Sequence, residues 1–152
     1  MRTAIAHDRI EISALIAAPQ DRVWRLLTDM DHIRVWWGDH VKLDARPGGT
    51  LREIWSDGGR EVVTAGIVKQ FVPPRLLSMS WADHDWPGDT QVRFSLDPIP
   101  AGTQLLLIHS GWSVHPAERT PALVDAHAQG WASHLERLAR LAQEPITGHP
   151  DA

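Results

Sequence analysis

The chain has 152 residues, 43% of them hydrophobic and 22% charged, enough to bury one core and too few for two domains of ordinary size. Its formal net charge of −4 offers no basic field to a nucleic-acid backbone, and the absence of cysteine excludes disulfides, thiolate nucleophiles and thiolate metal sites. No apolar leader opens the chain and no run of about eighteen apolar residues occurs, so a cytoplasmic protein without membrane insertion is expected.

Residues 1–8 are mixed and charged and read as a lead-in. Residues 9–17 alternate, with Ile10, Ile12, Ala14 and Ile16 on one side, and predict a strand. Pro19 suits a first helical position, and Val23, Leu26, Leu27 and Met30 follow at helical spacing. A second short helix is expected over residues 31–37, presenting Trp36 and Trp37 and stopped at Gly38. From residue 41 to residue 111 short alternating segments recur between Gly- and Pro-rich turns, which predicts about six further antiparallel strands. The last element is a long helix opening near Thr120 and Pro121 and ended by Pro145. At about 100° per residue, Val124, His127, Trp131, His134, Leu135, Leu138, Leu141 and Ala142 share one stripe of it. These elements make an α+β fold: one domain over residues 9–144, a curved antiparallel sheet of about seven strands wrapped around the C-terminal helix, and a loose tail over 145–152.

Alternation also sorts the strand residues by face, the richer apolar set being the one turned to the helix. Leu51, Glu53 and Trp55 face in, as do Leu77, Met79 and Trp81, then Val92, Phe94 and Leu96, then Leu105, Leu107 and His109. Leu106 and Ile108 are pushed outward, which hints at a homodimer face. Four polar groups thus sit on apolar inward stripes: Glu53, His109, His127 and His134. A buried carboxylate must be paired, protonated or turned to a wet cavity. Either Glu53 pairs with an arginine and the histidines bond to carbonyls, or Glu53 takes a proton and a histidine gives one.

Nine histidines invite a metal test. His127 and His134 are seven apart, about 10.5 Å along a helix axis, too far for both to hold one ion. No H-E-x-x-H spacing occurs, so neither a metal nor any other cofactor is expected. His7, His32, His40, His84, His115 and His149 fall in loops or ends and are expected to be solvated. Nucleophile-elbow, phosphate-loop and dinucleotide signatures are missing. The remaining oddity is eight Trp beside two Phe and no Tyr, a composition that serves a core or the wall of a site for flat apolar ligands.

An ordered set of motifs resembles a known family. Ile16-Ala17-Ala18-Pro19 leading to Val23-Trp24, Trp36-Trp37, Asp44-Ala45-Arg46-Pro47-Gly48-Gly49, Gly102-Thr103, His109-Ser110-Gly111-Trp112 and Ala128-Gln129-Gly130-Trp131 are similar, in order and spacing, to the START-like helix-grip superfamily. The branch is the one named for the activator of the heat-shock-protein-90 ATPase. The resemblance implies a cavity between helix and sheet, with Trp37 and Trp112 among its walls and Gly130 letting the helix lie close to the sheet. Glu53 departs from the apolar residue usual there.

The function expected is therefore binding of a small hydrophobic or aromatic molecule by Trp37, Leu51, Trp55, Met79, Trp81, Phe94, Leu107, Trp112, Trp131 and His134. One alternative is a cyclase, dehydratase or hydrolase using Glu53 as base and His109 or His127 as acid. Another is a protein-interaction module acting through Leu106 and Ile108; co-chaperone activity, which in the eukaryotic activator needs a further N-terminal domain, is not expected here.

Overall fold

The computed structural model describes residues 1–6 and 8–145. In chain order the elements are β1 (Arg2–Ala6), β2 (Arg9–Ile16), α1 (Gln20–Thr28), α2 (Met30–Trp36), β3 (Val41–Leu43), β4 (Thr50–Asp57), β5 (Arg60–Val72), β6 (Leu76–Asp83), β7 (Thr90–Ile99), β8 (Gly102–Ser110), a single 3-10 turn (Trp112–Val114) and α3 (Thr120–Ala142). The strands form one antiparallel sheet ordered β1-β2-β8-β7-β6-β5-β4-β3. From β3 to β8 the chain is a meander, and β2 closes onto β8 with Ile12 opposite Leu107 and Ala14 opposite Leu105. The two short helices carry the chain from β2 to the far edge of the sheet.

The period-2 pattern accounts for the core. Ile10, Ile12, Ala14 and Ile16 are buried from β2, as are Leu77, Met79 and Trp81 from β6, Val92, Phe94 and Leu96 from β7, and Leu105, Leu107 and His109 from β8. Each fully buried Leu or Ile contributes roughly 1.5–3 kcal/mol of transfer free energy. Val124, Ala128, Trp131, Leu135, Leu138 and Ala142 cover this face from α3. The buried stripe is therefore centred nearer Ala128 than the helical spacing alone suggested, and His127 and His134 lie half-buried on its flank.

The C-terminus of α3 is tied to α1. Arg22 of α1 donates through Nε to the Ala142 carbonyl at 2.8 Å and through an Nη to that of Leu141 at 3.1 Å. A guanidinium thus satisfies the orphan carbonyls at the helix C-terminus and sits at the negative end of its dipole. Trp36 closes the other short-helix contact, its indole N–H donating to the Leu26 carbonyl at 2.6 Å.

Several expectations are corrected here. The lead-in contains a strand: β1 pairs along its whole length with β2, Ala4 opposite Glu11. All five of its residues are exposed, so it has no core face for alternation to reveal. Pro19 has extended backbone and stands at the N-cap, so α1 begins at Gln20, one residue later than expected. In β5 a register shift between Val68 and Gln70 reverses the parity, so that Phe71, rather than Gln70 or Val72, packs on the core at 5.5 Å from the Trp24 ring. Leu106 and Ile108 do alternate with the buried Leu105, Leu107 and His109 and are half-exposed, with Ser13, Ser95, Glu11 and Arg93 as cross-strand neighbours. Of the expected tail, residues 146–152 lie outside the described residues.

Candidate functional site

The open end of the grip is a row of side chains across three strands. Glu53 on β4 stands opposite Thr64 on β5, and Thr64 stands opposite Asp83 at the end of β6. Side chains at paired positions lie on the same face, so a carboxylate, a hydroxyl and a second carboxylate point to the same side. Facing them across a cleft of about 310 Å³ are Ala126, His127, Gly130, Trp131 and His134 of α3, with Trp37, Trp55 and Trp81 completing the lining. The Trp37 and Trp81 rings are parallel to within 13° at 6.2 Å, and Trp131 meets Trp81 at 5.2 Å and Trp37 at 5.4 Å. These three are nearly inaccessible, whereas Trp55 is 37% exposed.

The polar groups of the lining are wired together. The Trp55 indole N–H donates to Thr64 Oγ1 at 3.0 Å, and the Thr64 hydroxyl donates to Asp83 Oδ1 at 2.5 Å. Glu53 Oε2 lies 2.6 Å from His40 Nε2. Burial, assisted by the charge of Asp83, raises the Glu53 carboxyl above its usual range, although His40 and a hydrogen bond from the Trp37 side chain pull it back down. His40 is thus the partner that an arginine was expected to be, and it is not a free solvated side chain. It arrives from the turn after α2, which Gly38, at φ +142°, allows the chain to make.

The helix histidines are held neutral. His127 lies 2.9 Å from the Leu123 carbonyl through Nδ1, which must then carry the proton, leaving Nε2 as an acceptor. Burial lowers its pKa. His134 receives an Arg137 N–H on Nδ1 at 2.5 Å, and burial together with that guanidinium brings its pKa down to about 4.

His109 lies behind this lining, fully buried. Trp131 Nε1, which can only donate, reaches its Nδ1 at 3.0 Å. The imidazole proton must therefore be on Nε2, directed to Thr90 Oγ1 at 2.7 Å, while the Thr90 hydroxyl donates to the Trp81 carbonyl. Burial pushes the ring well below its ordinary pKa, and His127 adds to the effect. With both nitrogens committed, His109 does not act as the acid it was expected to be. It positions Trp131 and the end of β6.

Of the residues expected to bind a ligand, the structure brings Trp37, Trp55, Trp81, Trp131 and His134 to the cleft, together with Glu53 and His127. Leu51, Met79, Phe94, Leu107 and Trp112 are instead fully packed in the core. Trp112 donates its N–H to the His109 carbonyl and packs against the His109 ring, tilted by 39° at 4.4 Å. Gly130 needs a different explanation from close packing, for a Cβ built there would meet nothing within 4 Å. Its missing side chain leaves the cleft open. Asp83, Thr64, His40 and Gly130 were missed as site residues. The first two continue the inward parity of Trp81 and Val62 and were legible by it; His40 carries no such period.

A larger hollow of about 600 Å³ lies between β1 and the start of α3, lined in part by Ile5, Ala6, His115, Pro121, Val124 and Asp125. His115, expected in solvent, is buried with neither nitrogen hydrogen-bonded, edge-on to Trp86 at 4.5 Å. The polar side chains of this lining are Ser113, His115, Thr120 and Asp125. Among the described residues no three His, Asp or Glu lie close enough to hold a metal ion. No described helix is long and apolar enough to cross a membrane.

A curved antiparallel sheet closed on a long C-terminal helix, with a cleft between them, defines a START-like helix-grip domain. The chain belongs to the family of activator of Hsp90 ATPase homolog 1-like proteins, whose pattern matches residues 17–143. Among solved structures it is similar to protein MLL2253 from Mesorhizobium loti, with 24% identity, a TM-score of 0.74, and coverage of 91% of this chain and 99% of that one. It is also similar to DynU16, a protein in the dynemicin biosynthetic locus: 25% identity and a TM-score of 0.73 over 95% of this chain, but 49% of DynU16. CalU16 from Micromonospora echinospora shares 27% identity at a TM-score of 0.64, covering 89% of this chain and 74% of that one. Comparison with curated proteins gives no match.

Proposed function

We propose that the protein binds a small, flat, largely hydrophobic molecule in the cleft between β4–β6 and α3. The observation that carries this reading is the lining itself: four indoles beside a small set of convergent polar groups, at a volume near the lower end of the roughly 300–1,000 Å³ usual for small-molecule sites. Family membership supports it in a general way, for helix-grip domains of this superfamily are ligand-binding modules. The likeness to DynU16, whose gene lies in a biosynthetic locus, agrees with a natural-product-sized ligand. The volume favours one or two rings over a larger polycycle.

Intrinsic Trp fluorescence tests the proposal, since four indoles border the cleft. Titration with a panel of aromatic metabolites is expected to give saturable quenching by one chemical class, abolished in Gly130→Phe, whose ring would fill the space that glycine leaves. Silence across the panel would overturn the reading.

Proton transfer on the bound molecule is a second reading with one observation in its favour. Glu53 has a raised pKa and a histidine at 2.6 Å, which is the equipment of a general base at a cleft. In that case Glu53→Gln lowers turnover of the identified ligand by roughly a hundredfold or more. Unchanged turnover would remove Glu53 from the chemistry.

A further inference from the structure

We propose that the molecule received by this cleft is an organic cation, a protonated or quaternary amine on a small hydrophobic frame. The inference rests on the binding site proposed above and deepens it. Its ground is a juxtaposition: two carboxylates, Glu53 and Asp83, stand two strands apart on one row of the sheet, and the indoles of Trp37, Trp55, Trp81 and Trp131 complete the same lining.

The charges facing the cleft, taken element by element, are unbalanced. β4 contributes Glu53, β5 the neutral Thr64, and β6 Asp83; α3 contributes His127, whose pKa burial lowers against the opposing pull of its Leu123 hydrogen bond, and His134, whose pKa burial and Arg137 lower. No Lys or Arg belongs to the lining. Arg137 is not part of the lining; it donates to the Trp36 carbonyl, Ser133 Oγ and His134 Nδ1, all neutral, and so keeps a positive charge behind His134 that offsets part of the imbalance. His40 pairs with Glu53, its side chain 38% exposed, and is not part of the lining. Asp83 accepts from Thr64, a neutral donor, which leaves its charge unmatched. That charge is felt across the site, where it helps to raise the Glu53 carboxyl and opposes the lowering of His127.

A neutral aromatic would leave this negative potential as it is and would desolvate both carboxylates further, which costs free energy. A cation does the opposite. It meets an opposite charge in a place of low dielectric, and the indole of Trp55, the accessible one of the four, attracts it in addition, Trp being the strongest of the aromatic side chains in this respect. The hydrophobic frame is still needed, because the walls are apolar and a bare hydrated ammonium would lose more to desolvation than it regained.

The test compares a cation with its uncharged isostere on the intact protein at low ionic strength. Phenyltrimethylammonium and tert-butylbenzene have the same shape and differ in one charge. Quenching of Trp fluorescence and calorimetric titration are expected to show the cation bound about tenfold tighter or more. Asp83→Asn keeps the acceptor oxygen for Thr64, and Glu53→Gln keeps the shape at His40, so both should fold; thermal unfolding checks this. Together they are expected to remove most of the preference, weakening the cation and tightening the isostere, which no longer has two carboxylates to desolvate. Equal or tighter binding of tert-butylbenzene to the native protein would overturn the inference and leave the binding site standing. A preference that survives both substitutions would show that these carboxylates are not its source and would also overturn it. If neither probe binds while uncharged aromatics of the wider panel still quench, the inference alone falls; if the panel is silent too, the site falls with it.

Discussion

Trp131 and Thr90 share one imidazole between them, and that makes His109 the residue whose loss should be felt most inside the fold. His109→Leu would leave a buried indole N–H without an acceptor and the Thr90 hydroxyl without its second partner. At about 1–3 kcal/mol for each of these two groups the expected cost is roughly 2–6 kcal/mol in urea unfolding. A loss under about 0.5 kcal/mol would mean that these hydrogen bonds are not formed. The other histidines give the protein an acid limit. His134 titrates near 6.5 in the unfolded chain and about 4 in the folded one, so as pH falls below 6.5 the unfolded state takes up the proton first. Stability from this group is full above 6.5 and is lost progressively down to about 4, with His127 and His109 shifted in the same direction. Glu53, raised instead of lowered, works against this trend. Melting temperature should therefore drop across that window, and more gently in His134→Gln, which can still accept from Arg137. At this scale the sequence showed much: strand parity alone turned Glu53, Trp55, Trp81 and His109 inward, and the same parity extended by two residues reaches Asp83. It could not show His40 meeting Glu53, since that contact joins a turn to a strand and has no period to reveal it.

The elements were legible where they have two unlike faces. β2, β6, β7 and β8 each bury one face and announce it by alternation; β1 has none to bury, and only backbone pairing makes it a strand. The bulge in β5 was equally hidden, because an inserted residue shifts the pattern without changing its composition. Two glycines at this scale make opposite predictions. A Cβ at Gly66 would lie 1.8 Å from the Ser80 carbonyl oxygen, where β5 crowds β6. Gly66→Ala is expected to destabilise the protein by about 3 kcal/mol or more, or to prevent folding, measured by chemical unfolding. At Gly130 nothing is in the way, so Gly130→Ala should stabilise α3 by roughly 0.5–1 kcal/mol through helix propensity alone. A loss of stability there would show that the cleft wall closes on that position.

For the whole molecule, resemblance and periodicity agreed on the helix grip, and the structure has it. What they could not supply was the size of the space inside. Residues expected to line a ligand, such as Met79, Phe94 and Leu107, fill the interior instead, and the cleft is confined to the end of the grip where β4 and β6 stand off from α3. Whether a side chain lines a void or fills it depends on its partner across the gap, which no single strand encodes.

Gly130 then acquires a meaning beyond its own helix. The chain keeps a poor helix former in the middle of a long helix, at a position where alanine would fit and strengthen it, and the fold itself gains nothing from the choice. One position therefore sets the bore of the cleft almost independently of the scaffold. Replacing it in steps, by alanine, valine and phenylalanine, would grade the largest guest admitted while the barrel of side chains behind it stays as it is. On the proposed function, the specificity of the cleft would be adjustable at a single codon.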